Sequence, residues 1–312
     1  MEDITVFSGQ AHPKLAKEIC AELGVELSPT RFQRFSNDCQ YVQLLANCRE
    51  RDVYIIQPIV PPVQENLMEL LMMMDAARGA SARRITAVIP HFAYARSDKK
   101  DSPRISIAGR LVADLLVTAG ANRVLTVTLH SEQVHGFFSV PVDHLNALKV
   151  LADHFHGRDL ADTIVVSPDL GNAKAASHFA RLLDLPVAAG RKQRLADDRV
   201  VIDTVVGDVE GKDCIVMDDE IATGGSILEL LNVLRSLGAK RFWLACTHGL
   251  YTKGALNRLS EPEDVVEIIS TDTVPLSEEK LLPKVVELSS APMISEAIRR
   301  IHMGESVSSL FN

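Results

Sequence analysis

The stretch "DCIVMDDEIATGGSILELLNVLRSLGAKRFWLACTHG", residues 213–249, decides the fold. It opens with an apolar run that reads as a strand buried on both faces. Two acids, Asp218 and Asp219, close that run, and a short loop with Gly224 and Gly225 follows. Ile227, Leu230, Leu231, Leu234 and Leu237 then fall on one stripe of a 3.6-residue period, which predicts a helix. Gly238-Ala239 suits the helix end, because glycine tolerates positive φ, and "RFWLACTHG" begins the next strand. A strand, a crossover helix and a second buried strand make one step of a parallel sheet.

The same step recurs outward from this stretch. In the first half it is "VYIIQP" (53–58), a loop, "ENLMELLMMMDAARGA" (65–80) and "ITAVIPHF" (85–92). Leu67, Leu70, Leu71, Met74 and Ala77 form its apolar stripe, and Met72–Met74 reads as core filling. A third Gly-Ala junction lies in "LLVTAGANRVLTVTLH" (115–130). Strands alternating with helices give an α/β class: two similar domains, each a mainly parallel sheet flanked by helices. The boundary is expected within 140–150, giving domains 1–145 and 146–295, with the C-terminal tail 296–312 packing on the first. Only the second copy places acids and a Gly-Gly loop at the strand end. The first has "QPIVPPVQ" (57–64) there, so the two halves are expected to have diverged in task.

Composition narrows the function. The formal net charge of −8 argues against general nucleic-acid binding, which needs a basic surface. No apolar run is long enough for a membrane span, and "MEDITVFSGQ" lacks a basic region followed by an apolar stretch, so a cytoplasmic location is expected. The five cysteines, at 20, 39, 48, 214 and 246, include no C-x-x-C pair and read as reduced thiols.

In open α/β sheets, ligands bind beyond the carboxyl ends of the strands. At such an end Gly224 and Gly225 leave backbone N–H groups accessible. The helix after Ser226 adds its positive N-terminus, and Thr223 and Ser226 supply hydroxyls, so together these form a phosphate cradle. Two neighbouring carboxylates suit either vicinal sugar hydroxyls or a Mg²⁺ ion carried by the ligand. The expected ligand is a sugar phosphate. Neither G-x-x-x-x-G-K-[ST] nor a strand-following G-x-G-x-x-G is present.

"VMDDEIATGGSI" (216–227) resembles the phosphoribosyl-diphosphate (PRPP) loop of type I phosphoribosyltransferases and PRPP synthetases. "RFSNDCQ" (34–40), the region 65–96, "LTVTLHSEQVHGFF" (125–138), "VVSPDLG" (165–171) and "SEAIRRIHMGESVSSLF" (295–311) resemble PRPP synthetases specifically, nearly end to end. The resemblance implies two phosphoribosyltransferase-like domains. It implies transfer of the β,γ-diphosphoryl group of ATP to the C1 hydroxyl of ribose 5-phosphate, giving PRPP and AMP. Positioning and charge stabilisation dominate such chemistry.

Carried over by resemblance, Lys192 and Arg194 of "GRKQR" are catalytic, on a loop that closes over ATP; read alone, this stretch is a solvated basic loop. His130, expected to end a strand, and Asp169 are metal-associated, with Mg²⁺ the implied cofactor. The ATP-binding set is Phe35, Asn37, Asp38, Cys39, Arg96, Ser97 and His130; Arg96, Lys99, Lys100 and Arg104 read as a charged loop. The ribose-phosphate set is Asp218, Asp219, Ala222, Thr223, Gly224, Gly225 and Ser226. The chain departs from the family pattern at Asn37, Cys39, Ser97, Thr128 and Ala222. Phosphate or ADP is implied as an allosteric ligand near Arg49, Ser81, Arg104, Ser306 and Ser308. A homo-oligomer, hexameric by resemblance, is implied because a neighbouring subunit's hairpin would hold adenine. Two alternatives stand beside the synthetase: a weakly active or non-catalytic regulatory paralogue, which the five departures favour, and a phosphoribosyltransferase or diphosphokinase for another sugar phosphate or nucleotide.

Overall fold

The computed structural model describes residues 3–196 and 199–310, with side chains described outside 192–203 and 309. The described chain divides into two compact units, residues 1–146 with 273–275 and 290–312, and residues 147–272 with 276–289. Both are of the expected α/β class. Among the described residues no helix is long and apolar enough to cross a membrane.

The first unit holds a six-stranded, wholly parallel sheet in the order Leu27–Ser28, Ile4–Ser8, Asp52–Ile56, Arg84–Ile89, Arg123–Val127, Val142–Leu145. A separate antiparallel hairpin pairs Thr30–Arg34 with Gln40–Leu44. Helix Ala291–Met303 joins helix Pro13–Leu23 in this unit. Its attachment includes His302, whose Nδ1 lies 2.9 Å from the buried Asp52 carboxylate.

The second unit holds a seven-stranded sheet in the order Arg199–Val206, Val187–Ala196, Thr163–Ser167, Asp213–Ile221, Phe242–Gly249, Val265–Thr271, Val285–Leu288. Only the first pair is antiparallel. The central strand shows why the apolar run reads as doubly buried. Cys214 and Val216 enter one core cluster with Leu230, Leu234 and Phe242, while Ile215 and Met217 enter another with Phe179 and Trp243. Alternate side chains of a strand leave on opposite faces, so both faces are covered.

Three local expectations need correction. Gly79 ends helix Val63–Gly79 without a left-handed φ; Ser81, at φ 63°, makes that turn instead. Leu237 lies beyond helix Gly225–Ser236 and is exposed, so the stripe ends at Leu234. "GRKQR" is not a loop: its backbone lies in strand Val187–Ala196, with Lys192 opposite Ile202 and Arg194 opposite Val200.

Both sheets reverse direction of build at one place, the switch point where ligands gather in such folds. In the first unit it lies between Ile4–Ser8 and Asp52–Ile56 and is filled by the protein itself. The buried Glu69 carboxylate accepts from Gln10 N–H and Nε2, each at 2.6 Å, and from Gln57 Nε2 at 2.8 Å. A Cβ at Gly9 would collide with Gln57. In the second unit the switch point lies between Thr163–Ser167 and Asp213–Ile221.

Candidate active site

Strand Asp213–Ile221 pairs with Thr163–Ser167 only as far as Val216, but with Phe242–Gly249 through Ile221. From Met217 onward one edge is therefore open, and Asp218, Asp219 and Glu220 belong to the strand itself instead of following it. Asp169 and Asn172 approach this edge from the end of the neighbouring strand. Ser167 Oγ donates to Asp169 O at 2.7 Å, and Asp169 Oδ1 accepts from Asn172 N–H at 3.0 Å. Asn172 Nδ2 crosses to Met217 O at 3.2 Å and Asp218 Oδ1 at 3.3 Å. Asp218 Oδ1 also accepts from Asp219 N–H at 2.9 Å.

Burial, followed by repulsion from Asp219 and, more weakly, Asp169, holds the Asp218 carboxyl well above its ordinary pKa. The folded chain thus disfavours a full negative charge on Asp218. Among the described residues no three His, Cys, Asp or Glu side chains form a group able to hold a metal alone.

The loop after the strand is built from three pinned peptide planes. Ile221 O accepts from Tyr251 N–H at 3.1 Å, and Ala222 O from Thr252 N–H at 2.9 Å. Thr223 O accepts from Arg258 Nη2 at 2.6 Å. In a trans peptide the N–H points opposite to the C=O. Three successive carbonyls drawn toward the segment 251–258 therefore send the N–H groups of Ala222, Thr223 and Gly224 the other way. Helix Gly225–Ser236 starts at once, and its first-turn amides lack an acceptor four residues back. These donors together make a nest for an anion.

Gly224 occupies a left-handed φ of 74°, and a Cβ there would lie 3.1 Å from Leu259 Cδ1. At Gly225 a Cβ would meet only Thr223 Oγ1, at 3.8 Å, so the space over it is open. Thr223 is exposed and Ser226 half-buried. Ala222 is half-buried and contributes its main chain alone.

Apart from Lys192 and Arg194, the remaining predicted site residues lie in the first unit. Phe35, half exposed at 52 %, stacks edge-on with Tyr41 at 5.8 Å in the hairpin turn. Asn37 Oδ1 accepts from Cys39 N–H at 3.2 Å, and Asp38, at φ 68°, pairs with Arg34 at 2.7 Å. Arg34 also pairs with Glu65. Arg96 is exposed at the end of the 3₁₀ turn Ala93–Arg96. Ser97 is occupied locally: its Oγ accepts from Ala108 N–H at 3.0 Å and donates to Ser106 O at 3.3 Å. His130 is exposed and does not end a strand; Arg123–Val127 stops three residues earlier. Thr128 there has φ 39°, costly for a β-branched residue, and its N–H donates to Leu145 O at 2.8 Å. Arg49 and Ser81 lie on adjoining turns, linked by Glu50 N–H to Ser81 O at 2.9 Å. Ser306 and Ser308 bond to each other at 3.1 Å. The Lys192 and Arg194 side chains lie outside the described residues.

Sequence reasoning missed Asn172, Tyr251, Thr252 and Arg258. Their roles depend on contacts between distant segments, and no local motif announces them.

Comparison with known proteins agrees with this geometry. Residues 4–120 match the N-terminal domain of ribose phosphate pyrophosphokinase, and residues 195–312 match the phosphoribosyl synthetase-associated domain. The chain is 66 % identical over 312 residues to a Streptomyces coelicolor protein, covering 100 % of this chain and 98 % of that one. It is 50 % identical over 313 residues to the ribose-phosphate pyrophosphokinase of Deinococcus radiodurans, covering 99 % and 98 %. A crystal structure of phosphoribosylpyrophosphate synthetase from Mycobacterium smegmatis superposes with a TM-score of 0.91 at 40 % identity, covering 97 % of this chain and 100 % of that one. Similar along its whole length in sequence and in fold, the chain belongs to the ribose-phosphate pyrophosphokinase family.

Proposed function

We propose that this chain is a ribose-phosphate diphosphokinase. The C1 hydroxyl oxygen of ribose 5-phosphate attacks the β-phosphorus of ATP, the bond from that phosphorus to the oxygen of the α-phosphate breaks, and AMP leaves. The hydroxyl proton is released to solvent. What supports the reading is the row of pinned peptide planes at 221–224, beside the adjacent acids Asp218 and Asp219. The nest takes the 5-phosphate, and the carboxylates accept from the ribose hydroxyls.

In this proposal Mg²⁺ enters with ATP as part of the substrate. By kinship we assign Asp169 and His130 to that ion, which would neutralise charge on the transferring phosphates. Phe35, Asn37, Asp38, Cys39, Arg96 and Ser97 serve the nucleotide. Asn37 Oδ1 and Ser97 Oγ already hold main-chain partners. Lys192 and Arg194 stabilise charge in the transition state. We further propose a homo-oligomer, hexameric by kinship, in which the hairpin Thr30–Leu44 serves a neighbour's site, with phosphate or ADP as effector near Arg49 and Ser81.

Purified protein with ATP, Mg²⁺, ribose 5-phosphate and phosphate should form AMP and PRPP in equal amounts, and Lys192→Ala should abolish both. Nucleotide binding without turnover at high enzyme concentration would overturn the reading in favour of a regulatory paralogue.

A further inference from the structure

Asn172 occupies the N-cap of helix Ala173–Leu182, yet makes no side-chain cap hydrogen bond. An asparagine there ordinarily accepts from an amide of the first turn. Here the side chain is turned from its own helix to the next strand, where Nδ2 reaches Met217 O at 3.2 Å and Asp218 Oδ1 at 3.3 Å. Its own N–H meanwhile engages Asp169 Oδ1 at 3.0 Å. One residue thus contacts both carboxylates that flank the open edge of the sheet. The edge lacks ladder bonds beyond Val216, so no backbone pairing orients Asp218 from that side.

We propose that Asn172 is a positioning residue for ribose 5-phosphate. Its amide holds one oxygen of Asp218 and leaves the other directed to the sugar hydroxyls. This rests on the reading of the loop as a ribose-phosphate site. The separation of roles follows from chemistry. Serine caps a helix as well as asparagine does, but its hydroxyl is too short to span to the neighbouring strand. Asn172→Ser therefore restores a cap while removing the hold on Asp218.

Five proteins test this, the wild type, Asn172→Ser, Asn172→Asp, Asp218→Asn and the Asp218→Asn/Asn172→Ser double variant, each as the full chain. Ribose 5-phosphate affinity is read by calorimetry, ATP affinity likewise, and turnover separately by AMP release. Asn172→Ser should keep or raise the melting temperature and weaken ribose 5-phosphate binding about 10-fold, the scale of one hydrogen bond to a charged group. ATP affinity should stay within about twofold on the same grounds. Asn172→Asp also caps the helix but sets a further carboxylate against Asp218, and should weaken sugar binding more. In an Asp218→Asn background, Asn172→Ser should cost less than about threefold, since coupled residues do not add. Unchanged sugar affinity in a folded Asn172→Ser, or equal losses for sugar and ATP, overturns the role. Sugar binding without AMP release counts against the proposed reaction alone. A wild type that binds no ribose 5-phosphate overturns both.

Discussion

The Arg258 guanidinium donates to the Thr223 carbonyl oxygen at 2.6 Å, and through that bond it sets the direction of the Gly224 N–H. Arg258 itself is exposed on helix Ala255–Ser260, and its other nitrogen donates to Lys253 O at 3.1 Å. Its removal frees one plane of the nest and leaves the core intact. Arg258→Ala should weaken ribose 5-phosphate binding about fivefold to tenfold, less than a charge-assisted hydrogen bond to the ligand itself would cost, because Arg258 acts through the peptide plane. ATP affinity should not change, and the melting temperature should move by no more than about 2 °C. Calorimetry with each ligand and a thermal scan check this.

The two loop glycines should fail in different ways. At Gly224 an alanine meets both a left-handed φ and the Leu259 side chain. Gly224→Ala should therefore cost about 1–2 kcal/mol of stability and disrupt binding as well. Gly225 has open space above it, so Gly225→Ala should melt near the wild type. Its new methyl stands over the amides instead, and phosphate affinity alone should fall. Melting temperature measured with and without ribose 5-phosphate separates the two, because ligand stabilisation scales with affinity.

The Ser97 hydroxyl ties Ala108 N–H to Ser106 O across the loop 98–107. Helix Ala108–Ala119 lacks a side-chain cap from its own N-cap residue, Ile107. Ser97→Ala should then behave as the loss of a cap, costing about 1 kcal/mol. The expected signature is faster amide exchange at Ala108, with the second unit's core unaffected.

The strands and helices were legible because their signals are local. Alternating burial of Cys214 to Met217 and the stripe from Ile227 to Leu234 are written in consecutive residues. The strand–loop–helix step around Gly224 and Gly225 was legible for the same reason. Element ends were less so. Ser81 takes the left-handed turn that Gly79 offered, and Leu237 falls just past its helix. "GRKQR" has the composition of a solvated loop but is held in a strand by its partner Arg199–Val206, a non-local pairing that charge cannot reveal. Asn172, Thr252 and Arg258 are invisible in one dimension because each acts on a residue at least 30 positions away (Thr252 N–H to Ala222 O is the nearest pair, by sequence 252 less 222). Likewise, nothing in "QPIVPPVQ" announces that Gln57 and Glu69 close the first unit's switch point.

Asp218 should be more costly to the fold than the asparagine that could replace it. Its carboxyl is held well above the ordinary pKa of 3.8 by burial, then by Asp219 and Asp169. The folded chain therefore keeps this proton to higher pH than the unfolded chain does. Below pH 3.8 both states hold the proton and the group costs nothing. As pH rises from there to the folded-state pKa, folding is progressively penalised, and above it the penalty is complete. Asp218→Asn removes the charge and keeps an acceptor for Asp219 N–H. The variant should match the wild type near pH 4 and melt higher by about 2–4 °C at pH 8, while losing affinity for ribose 5-phosphate. A difference that grows with pH marks a carboxylate retained for a ligand at the expense of stability. Equal melting at all pH values would mean that partners within the fold already neutralise Asp218, and the sugar hydroxyls would then need another acceptor.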